Sequence, residues 1–154
     1  MAMRSVFTTP PAKLTWYTVE WPASSLSWED FRGKVLGATD PSTAEEGSVR
    51  RAILDQWKAL GLKAVPNVGD NGVHASASPF EAMAERMNWL GAAAETDAFG
   101  AACVAAGVPA ATLAAWTQDP TVKFEGKNAS LFDLLEDISA KDCLQKMVAI
   151  SKQN

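Results

Sequence analysis

The stretch NVGDNGVHASASPFEAMAERMNWL, residues 67–90, decides how the middle of this chain folds. Ser78 is followed at once by Pro79 and, three positions on, by Glu81. That order supplies an N-cap hydroxyl, a fixed φ suited to the first helical position, and a capping-box carboxylate. The spacing predicts a helix opening at Ser78. Phe80, Met83, Ala84, Met87 and Gly91 share one stripe of it, whereas Trp89 falls almost opposite, beside Glu81 and Glu85. His74 stands between a glycine-rich turn and this cap, and it is the single histidine of the chain.

Towards the N-terminus, Ser48 opens another helical pattern with Val49, Ile53, Trp57 and Leu60 on one side and Gly61 at its end. LKAVP, residues 62–66, reads as a short strand. Ser27 can cap a short helix or turn over WEDFRGKVLG, whose acidic residues suit the positive end of a helix dipole. LTWYTVEW, residues 14–21, is rich in β-branched and aromatic residues, stops at Pro22 and predicts a strand. Residues 1–13, with Thr-Thr-Pro-Pro, predict an extended arm, because each proline biases its predecessor away from helix.

Towards the C-terminus the composition turns to alanine, with helices expected near 97–106 and 109–117. Residues 99–116 are uncharged, yet Gly107 and Pro109 interrupt them, which predicts two closely packed short helices and no membrane span. TVKFEGKN, residues 121–128, reads as a hairpin-like loop. Ser130 is expected to cap one final helix carrying Leu131, Leu134, Leu135, Ile138, Leu144, Met147 and Val148. The expected organisation is an arm (1–13), an α+β region (14–91) and an alanine-rich helical extension (92–154).

At 154 residues, 47% of them hydrophobic, the chain has the size of one ordinary domain. A net charge of −4 with scattered lysines and arginines gives no electrostatic footprint for nucleic acid. Cys103 and Cys143 match no metal-ligand spacing and make a poor disulfide framework, so we expect reduced thiols and no metal site. The opening residues have one arginine and no apolar run of the kind a secretory signal needs, which predicts a cytoplasmic location.

VLGATDPSTAEEGSVR, residues 35–50, together with NGVHASAS, residues 71–78, resembles the nucleoside diphosphate kinase family. There the pattern runs L-G-x-T-[ND]-P, then G-[TS]-[IV]-R, then N-x-x-H-x-S-[DN]-S opening a helix. The spacing from Leu36 to Arg50 matches without a gap, and Glu85 and Trp89 also fall at the family's positions. The resemblance implies a ferredoxin-like region in which His74 takes the terminal phosphate of a nucleoside triphosphate. It further implies that Thr39 and Arg50 contact phosphates, that Asn71 contacts the sugar, that Glu85 orients the second imidazole nitrogen and that Ser76 holds Glu85. Neutral imidazole is nucleophilic near pH 7, and phosphoryl transfer depends mainly on positioning and charge.

The departures point away from catalysis. No K-P-D-G lysine precedes Leu36, Gly33 stands where the family has arginine, and Ala75 and Ala77 flank Ser76. Residues 52–66 form an insertion, and most strands of the family's sheet have no counterpart. Losing one electrostatic stabiliser can cost on the order of 100- to 1,000-fold in rate. The expectation is therefore a truncated nucleoside diphosphate kinase-like region serving as a non-catalytic structural subunit of a larger assembly, with other protein subunits supplying missing strands and no cofactor. Divergent domains resembling this family recur in the motile-cilium axoneme, including its central apparatus and radial spokes, which makes that a second expected location. The alternatives are an active kinase using His74 with magnesium-nucleotide, and a nucleotide-binding regulator without turnover. The chain has 6 tryptophans. Core packing accounts for such residues in general, but Trp16, Trp21, Trp28 and Trp89 are also the kind favoured at interface centres.

Overall fold

The structure is a computed structural model and describes residues 9–153. Residues 1–8 of the expected arm lie outside the described residues. Among the described residues the chain is α+β: seven α-helices and one two-stranded antiparallel sheet.

The capping signals place the helices. Ser27 accepts from Asp30 N–H and starts α1 (Trp28–Asp30), which runs into a wide π-helical turn (Phe31–Leu36) closed by Gly37 N–H on Arg32 O. Ser48 caps α2 (Val49–Gln56), which is shorter than its apolar spacing suggests and unwinds through turns to Gly61. Ser78 accepts from Glu81 N–H at the start of α3 (Pro79–Leu90), and Gly91, with φ of 67°, ends it in the left-handed conformation that suits glycine. Asp97 caps α4 (Ala98–Ala105), and Pro109 precedes α5 (Ala110–Trp116).

The 121–128 segment is a true hairpin. Strands β1 (Thr121–Phe124) and β2 (Lys127–Ser130) pair with Thr121 opposite Ser130 and Phe124 opposite Lys127. Ser130 then caps α6 (Leu131–Leu135), and Ser139 caps α7 (Ala140–Ser151). The expectation of one continuous terminal helix is thus corrected. Asp137 adopts a φ of 58°, its N–H donates to Ala77 O at 2.9 Å, and Ser139 opens a new helix. The apolar spacing continues across this break and so conceals it.

The main core lies between α3 and the second half of the chain. Phe80 and Met83 from α3 meet Cys103, Leu113, Trp116, Val122, Leu131, Leu135, Cys143, Met147 and Ile150. Each fully buried Leu, Met or Phe side chain contributes roughly 1.5–3 kcal/mol. Gly100 allows the close approach of α4 to α3, since a Cβ there would lie 2.1 Å from Ala94 O and 2.8 Å from Met83 Sδ.

Two expected strands are absent. Residues 62–66 form none, and the nearest pairing is the isolated bridge between Asn67 and Asp70 that closes a tight turn. LTWYTVEW has no regular secondary structure and no strand partner among the described residues. β-Propensity expresses how well side chains fit a paired, half-buried pleated surface, and here no such surface lies beside them.

Candidate functional site

The loop before α3 carries His74 and Ser76, and α3 carries Glu81 and Glu85 one turn apart on the same face. Glu85 faces back over the loop. Its Oε1 lies 2.6 Å from His74 Nε2, and its Oε2 accepts from Ser76 Oγ at 2.5 Å. An ionised carboxylate can only accept, so Nε2 carries the hydrogen and the neutral ring keeps Nδ1 as its lone-pair nitrogen. Nδ1 makes no hydrogen bond among the described residues, and the His74 side chain is 66% exposed. The sequence-predicted His74, Ser76 and Glu85 therefore stand together.

Their charges are coupled. The hydrogen bond that His74 donates to Glu85 outweighs burial and holds the imidazole above its usual value. Burial works against ionisation of Glu85, but His74 and Ser76 outweigh it and keep its carboxyl below the ordinary range. Glu81 behaves in the opposite way. Burial, with the neighbouring Glu85 charge adding to it, pushes its carboxyl up, although Oε2 accepts from Ala77 N–H. Glu81 is the residue that sequence reasoning missed. Its capping role absorbed it, whereas its i,i+4 relation to Glu85 was the available sign that it faces the same histidine.

The expected nucleotide contacts have other occupations. Arg50 Nη1 donates to Gly37 O at 2.7 Å and Nη2 to Val73 O at 3.1 Å, so its guanidinium ties the 37 and 73 loops together. Its Nε is buried without a hydrogen-bond partner. Asn71 Nδ2 donates to Thr39 O at 3.1 Å, a second tie between the same loops. Thr39 is exposed.

A groove of about 1140 Å³ runs beside this cluster. His74, Ser76, Glu85 and Asn71 line it, whereas Thr39 and Arg50 do not. All four tryptophans singled out in the sequence line it too. Trp21 and Trp28 are half-buried, 5.2 Å apart between ring centroids, and Trp21 stacks on Phe31 at 4.5 Å. Trp28 Nε1 donates to Ser76 O at 2.8 Å, which fixes the histidine loop against the aromatic cluster. Trp16 and Trp89 remain 55% and 57% exposed.

Most of LTWYTVEW lines the groove as well. Leu14, Trp16, Tyr17 and Val19 are exposed, Tyr17 by 83%. Among the described residues, no backbone N–H or C=O of residues 13–20 takes part in a hydrogen bond. The segment therefore presents unpaired backbone groups beside exposed apolar side chains, the features of an edge that another strand can join.

No helix among the described residues is long and apolar enough to cross a membrane. No family model, curated protein or solved structure matches this chain.

Proposed function

We propose that this chain is a non-catalytic interaction subunit, and that residues 14–20 receive a β-strand from a partner protein. One observation carries the reading: a β-prone segment with its backbone groups unpaired and Leu14, Trp16, Tyr17 and Val19 exposed beside an aromatic groove. Strand addition supplies main-chain hydrogen bonds to the edge, while alternate side chains enter the groove and set specificity. Trp16 and Trp89 are the anchors, because large amphipathic rings dominate interface energies.

The resemblance of residues 35–50 and 71–78 to nucleoside diphosphate kinases extends the proposal. The partner would supply the strands of a ferredoxin-like sheet, none of which forms in residues 14–91 among the described residues, and the assembly would be the motile-cilium axoneme, at its central apparatus or a radial spoke. The test is the double variant Thr18→Pro, Val19→Pro, which removes two adjacent amide donors, one from each side of the strand, and touches no hydrogen bond of the folded body. We expect the full-length variant to melt as the parent does and to lose its place in the native assembly. Retained incorporation would overturn the strand-addition reading.

A second reading, phosphoryl transfer at His74 Nδ1, is favoured by the His74–Glu85–Ser76 chain of hydrogen bonds. Against it stands Arg50, whose guanidinium is committed to two backbone carbonyls. Charge stabilisation of the transferring group is what that chemistry requires most.

A further inference from the structure

The geometry points to a divalent transition-metal site, of the zinc class, formed by His74, Glu81 and Glu85. This goes beyond the docking surface and does not depend on it. One ligand atom from each of these residues lies within 4.8 Å of the others. Tetrahedral bonds of about 2.1 Å place ligand atoms about 3.4 Å from one another. Small side-chain rotations therefore close the set: His74 Nε2 and Glu85 Oε1 separate from 2.6 Å while Glu81 moves inward. Glu81 Oε1 accepts no hydrogen bond among the described residues and is free to turn towards an ion.

The scaffold suits this role. Glu81 and Glu85 project from one face of a helix that is capped at both ends and anchored in the core by Phe80 and Met83. His74 is held on its loop by the Trp28 and Arg50 contacts to residues 76 and 73. Charge also favours a dication. With a neutral imidazole the cluster carries two carboxylates, and the two guanidinium groups whose fields reach it are committed elsewhere. Arg86 pairs with Asp97 at 2.6 Å, and Arg32 pairs with Glu136 and Asp137. An imidazole ligand selects zinc-like ions over magnesium or calcium. The exposed side of His74 leaves a fourth position open to water. Binding through Nε2 requires that nitrogen to be free of hydrogen: in the neutral ring the proton moves from Nε2 to Nδ1 by way of solvent, and when the ring starts protonated the Nε2 proton leaves to solvent while Nδ1 keeps its own.

The test is calorimetric titration of the untagged, chelator-treated full chain with zinc chloride at pH 7.5, with cobalt(II) absorption to report coordination. We expect one ion per chain, at least tenfold weaker binding in Glu81→Gln, and loss of binding in His74→Ala. Glutamine at 81 can still accept from Ala77 N–H, so the cap survives and a change reports ligation rather than unfolding. Failure of the folded parent to bind zinc would overturn the site. So would Glu81→Gln or His74→Ala binding as the parent does, since the ion would then sit elsewhere.

Discussion

Asp97 accepts from Arg86 Nε at 2.6 Å through Oδ2, while Oδ1 accepts from the Phe99 and Gly100 amides that open α4. One carboxylate thus joins α3 to α4 and caps the second helix. Its side chain is only 4% exposed, and although burial opposes ionisation, the Arg86 guanidinium and the two amides hold it below the ordinary carboxyl range. Asp97→Ala should cost about 2–3 kcal/mol in urea unfolding, because it leaves a guanidinium and two amides without their acceptor. The sign with pH follows. A depressed folded pKa gives stability that is present above the unfolded value of about 3.9 and is lost as pH falls through the folded value. The Asp97→Ala melt should therefore be less acid-sensitive than the parent's in that window, the remainder coming from the other depressed carboxyls, Glu85 among them.

Glycines 100 and 33 make a contrasting pair. A Cβ at Gly100 collides with the Ala94 carbonyl, whereas one at Gly33 meets nothing within 4 Å. Gly100→Ala should destabilise by about 1–3 kcal/mol through overpacking. Gly33→Ala should be neutral or stabilise by up to about 1 kcal/mol through its effect on the unfolded chain. Urea midpoints of the two variants, compared at equal m-value, check both.

His74 is the single histidine, so its imidazole signals can be followed without ambiguity. Its titration should lie above the unperturbed value of about 6.5. Glu85→Gln should move it down, because the hydrogen bond to that carboxylate is the largest cause of the rise. A raised folded pKa means the stabilisation is fully present below about pH 6.5 and is lost as pH rises through the folded value. Equal titration midpoints in the two proteins would show that the His74–Glu85 contact is not formed in solution.

Incubation with labelled ATP and magnesium should place no acid-labile phosphate on the folded chain. Stoichiometric label that disappears in His74→Ala would establish phosphotransfer and remove the case for a purely structural role. The prediction rests on Arg50 and Asn71, whose side chains serve the loops instead of an open phosphate site.

Helix starts were the most legible feature of the sequence. Ser27, Ser48, Ser78, Ser130 and Ser139 all cap helices, and the first four are readable because a hydroxyl precedes a periodic run. Ser139 was hidden, since Ile138 and Leu144 continue the spacing set by Leu131 and Leu135. The break runs through extended Glu136, left-handed Asp137 and extended Ser139, and Asp137 is held there by Arg32 on its side chain and by the Ala77 carbonyl on its amide. Contacts from residues so distant in sequence leave no local trace. The same limit governs residues 14–21, whose composition favours a strand but cannot report whether a partner strand exists. At the site, Ser76, His74 and Glu85 were legible through the spacing of the loop and helix. Glu81 was concealed by a second role at the cap.

Amide hydrogen exchange of residues 14–20, compared between the isolated chain and its native assembly, tests the docking claim most directly. We predict exchange close to that of an unstructured peptide in the isolated chain and strong protection, alternating along the strand, in the assembly. Equal, fast exchange in both states would contradict the claim that this edge receives a partner strand.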